Sequence, residues 1–158
     1  MAERDRDEIG KARNSRPRDE LGRPLPHGSQ GVPRIPDDLE LTPAESLKYA
    51  QELLDQGLAF NAHEVLEAAW KSAPDDERSM WQGLAQLAVG ITHVQRGNTA
   101  GAAGVLSRAA DHIDEADRPA PHGVDADGLI GHANALIVDL ARNIDIDAER
   151  LRPRLVSA

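Results

Sequence analysis

The sequence predicts an all-α fold with two stacked helical hairpins and a C-terminal helix, preceded by an extended N-terminal arm. The 158 residues suit a single helical domain after the arm. Apolar residues make up 40% of the chain but aromatic residues only 3%. A core built from Ala, Leu, Val and Ile favours close-packed helices over sheets. Apolar side chains also recur every three or four residues, which is the helical period.

Residues 1–40 form the predicted arm, and residues 41–158 form a single helical domain. Half of the chain's ten prolines lie in the arm, which has few large apolar side chains. Such a segment cannot bury enough surface to fold alone, so we expect it to be extended or disordered. Its Lys and Arg cluster faces an acidic domain, which predicts docking on that domain with Leu21 and Leu25 as apolar anchors.

Charge and cysteine content exclude several functional classes. The net charge of -9 repels nucleic-acid phosphates, so nucleic acid is not an expected partner. The absence of cysteine excludes disulfides, thiolate zinc sites and a cysteine nucleophile. No segment is long and apolar enough to span a bilayer, and the start lacks a signal-peptide core. The expected location is therefore the cytoplasm, with no membrane partner.

Start and stop signals justify each helix in turn. Thr42, Pro43 and Glu45 form a capping box with proline in the first turn, and Gly57 ends that helix. The third helix is apolar on most sides, as a central helix would be. Asp125 caps the fifth helix. The predicted helices cover about residues 42–56, 58–71, 76–96, 99–113 and 125–142, with a short turn at 148–151.

An internal repeat of about forty residues relates the first two helices to the next two. This period lies in the range of two-helix repeats, about 34–47 residues. We therefore interpret the four helices as two related hairpins. The polar residues of the second helix have no counterpart in the fourth, so they belong to the first hairpin only. The matched pairs are Leu47 and Leu87, Gly57 and Gly97, Ala62 and Ala102, Val65 and Val105, Leu66 and Leu106, and Ala69 and Ala109.

A polar cluster interrupts the apolar stripe of the second helix. His63, Glu67 and Trp70 share one face, and His63 and Glu67 are four residues apart, so they can pair directly. A carboxylate inside a core must be paired or hydrogen-bonded. The third helix adds a polar stripe beside its main apolar face. The candidate site is His63, Glu64, Glu67, Trp70, Gln82, Gln86 and His93.

These two helices resemble the family known as domain of unknown function 309. The hallmark of that family is His, three residues, Glu, two residues and Trp, followed by a helix similar to Gln-Gly-Leu-x-Gln-Leu-Ala. The resemblance covers about residues 44–110, and it implies a small all-helical bacterial protein with no established activity. The matching segments here are His63-Glu64-Val65-Leu66-Glu67-Ala68-Ala69-Trp70 and Gln82-Gly83-Leu84-Ala85-Gln86-Leu87-Ala88.

The sequence alone leaves three interpretations of the polar cluster open. His63, Glu67 and Gln86 can form a buried network that fixes the packing of the hairpins. The same groups can converge on a small ligand or a partner's helix in a groove between the hairpins. Alternatively, His63, Glu67 and His93 can hold a catalytic divalent metal, with Glu64 as the base of a metal-dependent hydrolase.

The favoured function is a small cytoplasmic helical binding or interaction module with a buried His-Glu-Trp-Gln polar cluster between the hairpins, and the sequence leaves open whether the protein is an enzyme. The expected partner is an unidentified small ligand or protein, and no cofactor is predicted outside the metal alternative. The remaining histidines are expected to be solvated: His27, His112, His122 and His132.

Overall fold

The computed structural model describes residues 40–157 and, before them, the backbone of two short strands. Strands β1 (Asp5–Arg6) and β2 (Ala12–Arg13) pair in an antiparallel manner. The arm is predicted to dock on the domain through Leu21 and Leu25, and these two residues lie outside the described residues. His27 lies outside them as well. The all-α prediction is confirmed by the described helices: α1 (Pro43–Asp55), α2 (Ala59–Ser72), α3 (Arg78–Gln95), α4 (Thr99–Asp114) and α5 (Ala126–Ala141). Short 3-10 helices cover Asp75–Glu77, Pro121–Gly123 and Ala148–Leu151.

The first helix begins at the predicted capping box. The Thr42 hydroxyl accepts from the Glu45 backbone N–H at 3.2 Å, and the Glu45 carboxylate accepts from the Thr42 N–H at 2.9 Å. Two of the donors that a helix N-terminus leaves unpaired are thus satisfied. Asn98 caps α4 and Asp125 caps α5 in the same way, each accepting from the backbone N–H three residues later.

The turns that end α1 and α3 show the predicted repeat directly. Gly57 has φ +79° and Gly97 has φ +76°, the left-handed conformation that glycine adopts without a steric penalty. In each turn the residue after glycine donates its N–H to a carbonyl five residues earlier, Leu58 to Leu53 and Asn98 to His93. These bonds are those of the Schellman motif. The two hairpins are therefore built with the same turn, forty residues apart.

The helices pack in chain order, each against the next one, from α1 to α5. Helix α3 lies in the middle of this array and contributes the largest share of buried side chains, including Trp81, Leu84 and Ile91. The core is contiguous from α1 to the segment after α5. Within residues 40–157, no helix combines the length and the apolar character needed to cross a membrane.

The contact between α3 and α4 depends on two glycines of α3. A Cβ at Gly83 would lie 2.9 Å from the backbone oxygen of Ala109 and 2.7 Å from a side-chain carbon of Ile113. A Cβ at Gly90 would lie 2.6 Å from a methyl carbon of Leu106. All three distances are shorter than a van der Waals contact. At Gly83 the obstacle includes the α4 backbone, so the helices approach there to a distance that only glycine permits, whereas at Gly90 the obstacle is the Leu106 side chain.

Residues 151–157, which we name the closing segment, connect the last helix with the first. The Gln51 side chain on α1 donates to the carbonyl of Pro153 at 3.0 Å and accepts from the N–H of Leu155 at 2.9 Å. Leu155 also accepts from the N–H of Asp125, which caps α5. Leu155 itself is buried. The segment therefore ties α1 to the N-terminus of α5 through backbone hydrogen bonds and a buried leucine.

We predict that Gly83→Ala lowers the free energy of unfolding by roughly 1–2 kcal/mol. Alanine normally stabilises a helix interior by up to about 1 kcal/mol over glycine, but overpacking against the α4 backbone costs roughly 1–3 kcal/mol. Urea denaturation followed by circular dichroism measures the change. Gly104→Ala on α4 is the matched control, because its nearest neighbour would be an arginine nitrogen at 3.7 Å, and this variant should be stabilised. Equal stabilisation of both variants would contradict the close approach.

Candidate functional site

The seven predicted site residues lie along one side of α2 and along one side of α3, two helices that pack against each other. We name this surface the α2–α3 face. Every one of its members is half-buried, neither enclosed in the core nor fully exposed: His63, Glu64, Glu67, Trp70, Gln82, Gln86 and His93. The two helices are neighbours in the array, and Trp70 packs against the edge of the core. The expected enclosure of these side chains in the core is therefore not found.

His63 and Glu67 pair as their spacing predicts. The Nε2 atom of His63 lies 2.7 Å from a carboxylate oxygen of Glu67, and the Lys71 ammonium lies 3.1 Å from the other oxygen. The side chains of His63 and Glu67 are 20% and 36% exposed. The expectation that this pair lies in the interior is wrong, because both side chains are partly exposed. Lys71 was missed, although it repeats the same four-residue spacing.

Hydrogen bonding keeps the Glu67 carboxylate ionised. The bond from His63 is the main cause that lowers the pKa of Glu67 to about 2, and Lys71 adds to the effect against the opposing effect of burial. The Nδ1 atom of His63 is buried without a hydrogen-bond partner in the described region. The carboxylate oxygen of Glu67 accepts a hydrogen bond from Nε2 of His63, so in the neutral ring the proton is on Nε2. The unpartnered Nδ1 then carries a lone pair and no N–H.

Phe60 and Arg96 extend the face at the start of α2. The ring of Phe60 lies 5.4 Å from that of His63, and the Arg96 guanidinium lies 5.8 Å from the centre of the Phe60 ring. The second distance is within the range of a cation–π contact. Arg96 follows the last residue of α3, so this contact links α3 to α2. Sequence reasoning did not include Arg96, because its place beside Phe60 depends on how the helices pack.

The predicted network of His63, Glu67 and Gln86 is not formed. Gln86 instead lies with its side-chain oxygen 2.6 Å from Nδ1 of His112 on α4. His93 lies 3.2 Å from the side-chain nitrogen of Asn98, and burial lowers the pKa of His93, with a further effect from Arg96. The hydrogen bonds thus divide the face into separate pairs, and the pair with His112 extends it onto α4.

The three candidate metal ligands do not converge. His63 is bound to Glu67, whereas His93 contacts Asn98. Among residues 40–157, no group of three or more His, Cys, Asp or Glu side chains has an arrangement able to hold a metal ion. The expected ligand set of His63, Glu67 and His93, with Glu64 as the base, is therefore not assembled in this fold.

The expectation that the other histidines are solvated is wrong for His112 and His132, which are half-buried, whereas His122 is exposed as expected. His112 bonds to Gln86, and His122 lies 2.7 Å from the carboxylate of Glu77. His132 is half-buried, and burial lowers its pKa. These contacts join residues far apart in the chain, so no local pattern could have indicated them.

The fold and the face define a small all-α protein built from two helical hairpins, with half-buried polar residues on α2 of the first hairpin and α3 of the second. Residues 47–105 match the family model described as "Domain of unknown function (DUF309)". This match confirms the resemblance to the DUF309 family that the sequence showed, over residues 47–105. This segment contains the whole α2–α3 face.

One curated relative has a similar sequence over part of its length. The "Uncharacterized protein YpuF" of Bacillus subtilis (strain 168) is 39% identical over 70 residues. The match covers 40% of this chain and 40% of the relative. No solved structure matches the chain.

We predict that Glu67→Gln lowers the free energy of unfolding at pH 7 by at most about 1 kcal/mol, because the carboxylate is partly exposed and solvent screens its pairs. The folded-state pKa of Glu67 lies below the ordinary value of 4.5. Its contribution is therefore fully present above about pH 4.5 and is lost as the pH falls towards 2. Urea denaturation at several pH values should show wild type and variant converging in acid. The control is Glu52→Gln, at an exposed position on α1; the same pH-dependent difference there would contradict the assignment to Glu67.

Proposed function

We propose that the protein is a binding module that holds a segment of a partner protein on the α2–α3 face. The observation that carries this proposal is the uniform half-burial of its seven polar and aromatic residues. Side chains that only fix packing are enclosed and fully paired, whereas side chains that only solubilise are exposed. A surface whose side chains are partly buried and still accessible to solvent is suited to binding a segment of a partner protein.

The composition of the face supports a protein partner. The chain has two Trp, one Tyr and one Phe, and both Phe60 and Trp70 lie on this side of α2. Aromatic residues and arginine are enriched among the residues that contribute most to binding at protein interfaces. Ten residues of helix separate Phe60 from Trp70, a distance of about 15 Å along the axis. A partner segment with two apolar side chains at that separation would contact both rings.

The negative charge of Glu67, between the two rings, indicates that the middle of the partner segment carries a basic residue. Glu67 lies between Phe60 and Trp70 on α2, and its pKa of about 2 keeps it negative at neutral pH. A Lys or Arg of the partner can bind this carboxylate on its solvent side, and the side-chain amide of Gln82 offers a further donor and acceptor. The proposed partner is therefore a segment with a basic residue between two apolar ones.

The proposal places the chain in the cytoplasm and assigns it no catalytic step. The lack of cysteine supports this location, since secreted proteins of small size often depend on disulfides. The alternative of a metal-dependent hydrolase has no support from the arrangement of His63, Glu67 and His93, which bind different neighbours.

Selection from a random peptide display library on the full chain tests the proposal. We expect enriched peptides to carry a Lys or Arg between two apolar residues. Trp70→Ala should weaken their binding by about tenfold or more, as for a central aromatic contact, and Glu67→Gln should weaken it by a smaller factor. Titration calorimetry measures both affinities.

The matched control is Val138→Ala, which removes an exposed apolar side chain on α5 and should leave peptide affinity unchanged. Circular dichroism confirms that each variant is folded. Selected peptides that bind Trp70→Ala and wild type equally would refute the assignment of this face. Enrichment of acidic peptides would refute the assigned partner chemistry.

A further inference from the structure

A cavity of about 320 Å³ lies at the other side of α2, between the start of α1, the last turns of α2 and the start of α3. Val65 and Ala69 contribute the α2 wall, and they lie on a different face of that helix from His63 and Glu67. The volume falls at the lower end of the range of small-molecule sites, about 300–1,000 Å³. The cavity is therefore separate from the α2–α3 face.

The lining of the cavity is more apolar than polar, and its charged groups are acidic. Leu41, Pro43, Val65 and Trp81 provide much of the apolar lining. Two carboxylates, Glu40 and Glu77, and the hydroxyl residues Ser46 and Ser72 also line it. The described lining contains no Lys, Arg or His. An anionic ligand would meet two negative charges without a compensating cation, which is unfavourable in a partly desolvated site.

Glu77 is held in place at the cavity by two donors from different parts of the chain. Its Oε1 atom accepts from the indole Nε1 of Trp81 at 3.2 Å and lies 2.7 Å from Nε2 of His122. Both contacts end on Oε1, which leaves Oε2 as an acceptor. The Glu77 side chain is only 16% exposed. A carboxylate fixed and sheltered in this way is suited to receive a charged donor, because little conformational freedom is lost on binding.

His122 reaches Glu77 from the loop between α4 and α5. This residue has φ +59°, a left-handed conformation that is uncommon outside glycine. Arg118 fixes the same loop through Asp114 and Asp127, each at 3.0 Å. The loop therefore presents the His122 ring to Glu77 in a conformation that the surrounding contacts maintain.

We propose that this cavity binds a small organic cation, namely a primary amine or ammonium group on an apolar body. The ammonium group donates to the Glu77 carboxylate, and the apolar body lies against Trp81 and the aliphatic walls. Aromatic and carboxylate groups together are the surroundings that recognise such cations. The net charge of the protein, -9, also attracts cations to the site.

Nuclear magnetic resonance of the ¹⁵N-labelled full chain tests the proposal, with hexylamine, hexan-1-ol and hexanoate as probes of one apolar body and three head groups. The indole N–H signal of Trp81 should shift on titration with hexylamine, and that of Trp70 should not. We expect hexan-1-ol to bind about tenfold or more weakly, since a charged hydrogen bond is lost, and hexanoate not to bind. No shift of Trp81 with hexylamine, or equal binding of hexanoate, would overturn the proposal.

Two variants separate the head-group site from the apolar walls. Glu77→Gln keeps an acceptor for Trp81 and should reduce hexylamine affinity to that of hexan-1-ol. Ala69→Phe should abolish binding of both by filling the cavity, and Ala135→Phe on the exposed side of α5 is its matched control. Glu40→Gln, at an exposed position, provides a second test of the charge that does not depend on Glu77 and should weaken hexylamine alone. Hexylamine affinity unchanged in both Gln variants would refute a cation site.

Discussion

The close approach of α3 to α4 at Gly83 and Gly90 is the constraint on which the rest of the structure depends. Helix α3 contacts α2 on one side and α4 on the other, so its position fixes both hairpins relative to each other. The glycines are seven residues apart, which places them on the same side of the helix, two turns apart. With α3 seated on α4 in this way, Gln86 comes within hydrogen-bond distance of His112. This bond links the polar stripe of α3 to α4.

The elements of the fold could be predicted from the sequence because their signals are local. The capping box at Thr42 and the glycines after α1 and α3 act within a few residues, so sequence alone locates them. The pairing of His63 with Glu67 is local in the same sense, since one turn of helix separates them.

The contacts that sequence reasoning missed join distant residues. Gln86 and His112 are 26 residues apart, and Glu77 and His122 are 45 apart. The degree of burial was also predicted incorrectly for His63 and Glu67. A stripe of apolar residues shows that a helix packs against other helices. How much of the helix circumference is buried depends on how many helices pack around it. Helix α2 is packed by α1 and α3, so its remaining side stays accessible.

The closing segment has a consequence for how the chain folds during synthesis. Most helix contacts join neighbours in the chain, so each hairpin can form soon after its second helix emerges from the ribosome. The bonds of Gln51 to Pro153 and Leu155 instead span 102 and 104 residues. At roughly 5–20 residues per second, translation of that interval takes about 5–20 s. During this time the Gln51 side chain on α1 lacks the backbone partners that the closing segment supplies.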